Sequence, residues 1–258
     1  MTYAAAFVLY LYLFANRRQI IGVLATSLTA LGLVFHTVAF GARWKSVGYI
    51  PLAGAFESYF MFAWALVLIF LSIEAWTKIK VLGAWVLPFV GTLFGIAWVK
   101  YESPERLSDT VKNTWIIMHV TVVFLAYAGF IMGAVFAALY LIQQRQLKKR
   151  HVNVFFRRLP SLEVLDDWSS KAVSFGLPFM TMTIITGMIR AVKEFPNWYI
   201  DPIVTTTTLT WTIFALYLGL RYLWDWQGRR IAYVAIIGLM SIVLIQVTRY
   251  FPVFHQFG

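Results

Sequence analysis

The run Thr114–Leu141, TWIIMHVTVVFLAYAGFIMGAVFAALYL, contains no lysine, arginine, aspartate or glutamate. A helix needs about 20 consecutive apolar residues to cross the hydrocarbon core of a bilayer, and this run exceeds that length. Seven further predominantly apolar runs can be drawn: Thr2–Ala15, Gln19–Phe40, Ser58–Trp76, Val81–Val99, Val173–Val192, Val204–Leu223 and Ile231–Tyr250. The chain has 258 residues, 60% hydrophobic and 13% charged. Soluble domains lie nearer 45–50% apolar and ~25% charged. Lipid is therefore the solvent for most of this sequence. It predicts an all-α, polytopic membrane protein of about eight transmembrane helices, forming a single integral membrane domain over residues 1–258. There is no internal repeat, low-complexity tract or soluble domain. The first run lacks a basic leader and a small-residue cleavage site, so it is expected to be a retained helix.

The net charge of +11 comes from basic residues placed between apolar runs, which signals topology and anionic-lipid contact rather than nucleic acid. The loops after spans one, three, five and seven carry Arg17 and Arg18; Lys78 and Lys80; Arg145 to Arg158; and Arg229 and Arg230. They outweigh Arg43, Lys45, Lys100, Arg106, Lys112, Lys193 and Arg249 on the other side. The basic loop at about 143–171 is thereby expected in the cytoplasm and both termini outside. Within it, Leu162–Lys171 is expected to be an amphipathic lead-in to span six.

With no cysteine, thiolate ligation and disulfides are excluded, and histidine becomes the main route to a redox metal. His36 lies in span two, where an ionisable residue is either functional or hydrogen-bonded within the core. His119 opens span five and His255 follows span eight, so both emerge on the outer face. There they could ligate one haem iron from opposite sides, or stand as ordinary interfacial residues. His151 sits among basic residues on the inside and is expected to be solvated. Glu57 and Glu74, beside and within span three, are candidates for a polar pathway. Adjacent Asp166 and Asp167 point about 100° apart on a helix and make a poor acid–base pair. Gly-rich phosphate loops, paired-histidine zinc motifs and nucleophile elbows are absent.

Several pieces in order resemble one family. They are His36, Arg43-Trp44, Gly48, Pro51 and Glu57-Ser58; Trp115, His119-Val120, Tyr127-Ala128 and Tyr140-Leu141; and Leu165-Asp166, Phe175-Gly176-Leu177-Pro178-Phe179, Thr181 and Gly187. Tyr217-Leu218, Arg221, Trp226-Gln227-Gly228-Arg229-Arg230, Ala232-Tyr233 and His255 complete the set. Together they resemble the CcsA-type cytochrome c assembly proteins of the haem-handling superfamily, including their HemX-like relatives. The family's tryptophan-rich outer loop, typically Tyr-Trp-Ser-Trp-Asp-Pro-Lys-Glu-Thr-Trp, falls on Phe195–Trp211, with the loop region at about 195–203. Trp198, Asp201, Pro202, Thr205, Thr210 and Trp211 match it. Ile200, Ile203-Val204 and Thr206 depart from it, and Gly219 stands where the family has an intramembrane histidine.

The resemblance implies haem handling in cytochrome c maturation, with a non-covalent, b-type haem presented on the outer face to apocytochrome c. It implies axial ligation by His119 and His255, a macrocycle flanked by Trp198 beside Asp201, and a second membrane subunit as partner. Arg43 is the expected propionate partner. For His36 the resemblance favours a packed core histidine over a haem ligand, because Gly219 removes its counterpart. The membrane implied is a bacterial-type cytoplasmic membrane. Two other roles stay open: a non-catalytic HemX-like accessory of haem supply, and a haem-bearing electron-transfer subunit. A small-solute transporter is disfavoured, because no span shows paired Gly/Pro-broken half-helices.

Overall fold

The computed structural model describes residues 1–16, 18–52, 54–101, 113–149, 159–194 and 197–248. Phe195, Pro196, His151, His255 and residues 150–158 of the basic loop lie outside the described residues. Eight α-helices follow in order: α1 Thr2–Ala15, α2 Gln19–Val47, α3 Ala55–Thr77, α4 Gly83–Val99, α5 Thr114–Lys148, α6 Leu162–Glu194, α7 Pro202–Tyr222 and α8 Arg229–Thr248. No strand occurs among the described residues. Seven helical segments are long and apolar enough to cross a membrane, and Thr2–Leu13 is a shorter apolar helix. The chain is thus an all-α, polytopic integral membrane protein, as its composition requires.

Helices outrun the apolar spans that locate them. α2 continues to Val47 and stops at Gly48, whose φ of +78° closes the helix in the left-handed region. α5 continues through polar residues to Lys148. The amphipathic stretch at 162–171 is continuous with span six, giving one helix from Leu162 to Glu194. α7 opens with Asp201 at the N-cap and Pro202 at the first helical position, the place where a missing N–H is harmless.

Contacts divide the chain into two compact units. The first contains α1 to α4 and the start of α5. Its packing is by tyrosine on glycine: a Cβ at Gly83 would lie 2.3 Å from the Tyr10 ring, and one at Gly32 2.6 Å from the Tyr3 ring. Leu66, Phe70 and Leu82 are wholly buried among these helices.

The second unit contains most of α5 with α6, α7 and α8. α5 and α6 approach closely because small residues face one another. A Cβ on Gly129 would stand 3.0 Å from the Gly176 backbone, and one on Gly133 2.7 Å from Val173 Cγ2. In lipid, where hydrophobicity does not drive helices together, such close backbone approach supplies dispersion contact. Farther toward the N-terminus of α5, His119 meets Gly187, the register of an antiparallel pair. Phe130 of α5 stacks on Phe214 of α7 with ring centroids 3.8 Å apart, and Gly238 of α8 gives Phe214 its room. At the other end of this unit, Arg221 pairs with Asp166 Oδ2, while the Gly228 N–H donates to Oδ1 at 3.0 Å.

Candidate functional site

Antiparallel alternation brings the start of α5, the end of α6 and the start of α7 to one end of the second unit. His119 stands there, half-buried, with Nδ1 2.8 Å from Thr186 Oγ1. Thr186 has one hydroxyl proton, and its oxygen lies 2.7 Å from the Met182 carbonyl and 3.2 Å from the Thr183 carbonyl. With that proton turned to a carbonyl, the hydroxyl accepts from His119 Nδ1. The imidazole proton is then on Nδ1 and the lone pair on Nε2. Gly187 makes room for the ring: a Cβ there would lie 3.1 Å from His119 Cε1.

An imidazole fixed through one nitrogen, with its lone pair on the other, is the form that ligates a metal. His119 held in this way is a candidate metal ligand. Among the described residues no group of three or more His, Cys, Asp or Glu side chains could hold a metal ion by itself.

The connection after α6 contains a 3-10 turn, Trp198–Ile200. Gly187 lies seven residues before the end of α6, about 10 Å along the helix at 1.5 Å per residue. Trp198 is half-buried and meets Tyr199 edge-on, while Tyr199 and Ile200 are exposed. Asp201 is fully buried and its Oδ1 accepts the Ile203 N–H at 2.8 Å, the bond of a helix N-cap. It fixes where the loop ends and α7 begins. Trp211 Nε1 donates to Thr181 Oγ1 at 2.9 Å, tying α7 to α6.

The first unit uses its polar residues differently. His36 is 4% exposed. Its Nε2 lies 3.0 Å from the Phe60 carbonyl, which can only accept, and its Nδ1 is 3.3 Å from the Tyr3 hydroxyl. Phe60 and Phe94 close on the ring with centroids 4.1 and 4.9 Å away. Both nitrogens are engaged, so His36 sits as a packed, hydrogen-bonded core histidine. Arg43 Nε and Nη2 donate to Glu57 Oε1 at 2.9 and 2.6 Å. The Arg43 guanidinium also lies 5.6 Å from the Phe56 ring centroid and 5.4 Å from that of Tyr101. Its counter-ion is thus an internal carboxylate. Glu57 Oε2 is buried without a hydrogen-bond partner. Glu74 accepts from Tyr10 at 2.7 Å and from Thr26, with Lys80 Nζ 3.6 Å away.

Hydropathy did not point to Thr186 or to the Arg43–Glu57 and Asp166–Arg221 pairs. The available signals were small residues spaced along α5 and α6, which set the register facing His119, and single opposite charges at the ends of successive spans.

A polytopic helical membrane protein, with a hydrogen-bonded histidine at one end of a glycine-packed helix pair, is the class that fold and site define. Comparison narrows it. The family described as Cytochrome C assembly protein matches residues 52–251, a stretch that includes His119, Trp198 and Asp201. A cytochrome c biogenesis protein CcsA from Guillardia theta is 31% identical over 236 residues, covering 83% of this chain and 78% of its own length. Similar proteins of that name come from Pyropia yezoensis, 29% identical with 85% and 81% covered, and from Synechococcus sp. (strain JA-3-3Ab), 27% identical with 76% and 74% covered. The chain belongs to the cytochrome c assembly protein family, and its role lies in cytochrome c maturation.

Proposed function

We propose that this protein holds a non-covalent, b-type haem on the outer face of a bacterial-type cytoplasmic membrane and presents it to apocytochrome c. Both termini are placed outside by the distribution of basic loops. The observation that carries the reading is the Met182–Thr186–His119 hydrogen-bond relay, which fixes the imidazole through Nδ1. His119 and His255 are the axial ligands, and Trp198 flanks the macrocycle. Asp201 positions that tryptophan by capping α7. Bound haem supplies the vinyl groups that become thioether links; the chain supplies ligation, orientation and control of the iron's redox state. A second membrane subunit completes the presenting complex. Arg43 and His36, held by Glu57 and by Tyr3 with the Phe60 carbonyl, are left outside the ligand set.

The test is the absorption spectrum of the purified full chain, supplied with haem. A low-spin band lost in His119→Ala and in His255→Ala supports the assignment, and an unchanged spectrum in either removes that ligand. A HemX-like accessory role is favoured by one feature: the family's second loop indole is replaced by Ile200, which is 58% exposed. Deleting the gene separates the two. Loss of holocytochromes supports presentation; normal holocytochromes with altered haem supply support the accessory role.

A further inference from the structure

We propose that the turn between α7 and α8 binds an anionic phospholipid headgroup, with its phosphodiester held by Arg229 and Arg230. The turn follows a 21-residue apolar helix, so it lies at a membrane–water boundary. Three successive side chains there, Tyr222, Leu223 and Trp224, are 60, 75 and 66% exposed. Such a run suits the interfacial belt, where aromatic rings sit at headgroup level.

Its shape is fixed from within. Asp166 accepts the Gly228 N–H at 3.0 Å and also holds Arg221, and the Trp226 N–H donates to the Leu220 carbonyl at 2.9 Å. Gly228 has φ of +70°, and a Cβ there would meet the Tyr140 hydroxyl at 2.6 Å. This fixed turn borders a shallow, open concavity of about 590 Å³ lined by Trp224, Asp225, Trp226, Gln227, Arg229 and Arg230.

Both guanidiniums lie on aromatic shelves. Arg229 is 5.3 Å from the Tyr233 ring centroid and donates to its hydroxyl at 3.2 and 3.1 Å; Arg230 is 5.8 Å from the Trp226 ring centroid. Among the described residues no carboxylate forms an ion pair with either arginine. Both also stand in the first turn of α8, which has no acidic residue. There the helix dipole repels positive charge. The aromatic rings hold the two guanidiniums in place while the dipole opposes their charge, and an anion from outside offsets that opposition. Paired guanidiniums match phosphate oxygens geometrically. Asp225 and Gln227 offer acceptors to headgroup hydroxyls, which suits phosphatidylglycerol better than phosphatidylcholine.

The experiment is native mass spectrometry of the full chain in neutral detergent, scoring retention of phosphatidylglycerol against phosphatidylcholine. R229Q/R230Q should lower the phosphatidylglycerol preference about thirtyfold, from roughly 1 kcal/mol per juxtamembrane basic residue. K148Q/K149Q makes the same charge change elsewhere and should retain it. If R229Q/R230Q fails to insert, R229K/R230K keeps the charge and should still lose part of the preference through loss of the planar fork. Equal retention in wild type and both arginine variants would overturn the site. So would an equal loss in K148Q/K149Q, which would mean unspecific attraction. Displacement of the lipid by equimolar inorganic phosphate would reassign the site to a free anion. A Soret change confined to R229Q/R230Q would reassign it to the carboxylates of a tetrapyrrole.

Discussion

His36 and His119 both stand in apolar helices, yet their surroundings prepare them for opposite tasks. His36 faces a backbone carbonyl through one nitrogen and a tyrosine hydroxyl through the other, inside a cage of Phe60, Phe94 and Tyr3. Every demand of that imidazole is met by its own unit. His119 has its Nδ1 fixed by Thr186, which directs the lone pair to the other nitrogen. The difference extends to charge. The first unit neutralises Arg43 with Glu57 and ties Glu74 to Tyr10, Thr26 and Lys80. A histidine in a membrane span is therefore not a ligand by default: His36 is occupied through both nitrogens by its own unit.

The largest expected difference lies in the spectra. His119→Ala should abolish the low-spin signature of the haem-loaded protein. His36→Ala should leave the band in place and lower the midpoint of thermal unfolding, because it opens a cavity and removes the bonds to the Phe60 carbonyl and the Tyr3 hydroxyl. If His36→Ala removes the band and His119→Ala does not, the comparison is reversed. Next in size is Glu57→Ala, which leaves the buried Arg43 guanidinium without its counter-ion. Breaking a buried pair from one side costs about 3–5 kcal/mol, so thermal unfolding should shift strongly while the haem spectrum keeps its form. A variant as stable as the wild type would show that Glu57 is not what holds Arg43.

Much of the fold was legible, because a long apolar run in lipid has few options but helix. α1 begins and ends where the first run does, at Thr2 and Ala15, and α5 begins with its run at Thr114. Helix ends were less legible. Apolarity marks the part of a helix inside lipid, whereas α2, α5 and α6 continue as helix into water or into the packed interior. Asp166 shows the cost of judging a residue by its neighbour. As half of an adjacent acidic pair it suggested little, yet across the helix interface it meets Arg221 and the Gly228 N–H. The candidate site was visible as residue types, His119, Trp198 and Asp201, but not as roles. The capping bond of Asp201 and the proton assignment of His119 depend on contacts made only after folding.

Two smaller substitutions sharpen the contrast from the second unit. Thr186→Val removes the hydroxyl that orients His119 but keeps the side chain's volume. Partners of metal-bound histidines typically contribute 10–100-fold to affinity, so haem retention should weaken by about that range while the band stays low-spin. Thr186→Ser should restore it. A merely structural threonine would lower stability without moving haem affinity.

Asp201 gives the smallest effect and the finest test. Its Oδ1 accepts the Ile203 N–H, and its own carbonyl accepts the Thr205 N–H and hydroxyl. Asp201→Ala removes the side-chain capping bond, which should cost about 1 kcal/mol, read as a small fall in unfolding midpoint. Asp201→Asn keeps an acceptor oxygen and should recover most of the loss. Because the cap fixes the turn that carries Trp198, Asp201→Ala should also broaden the haem band, and Asn should narrow it again. If Asn restores stability but leaves the band broad, the charge of Asp201 matters to haem beyond the cap. If both variants leave the band untouched, the cap belongs to the fold alone, and Trp198 holds its place without it.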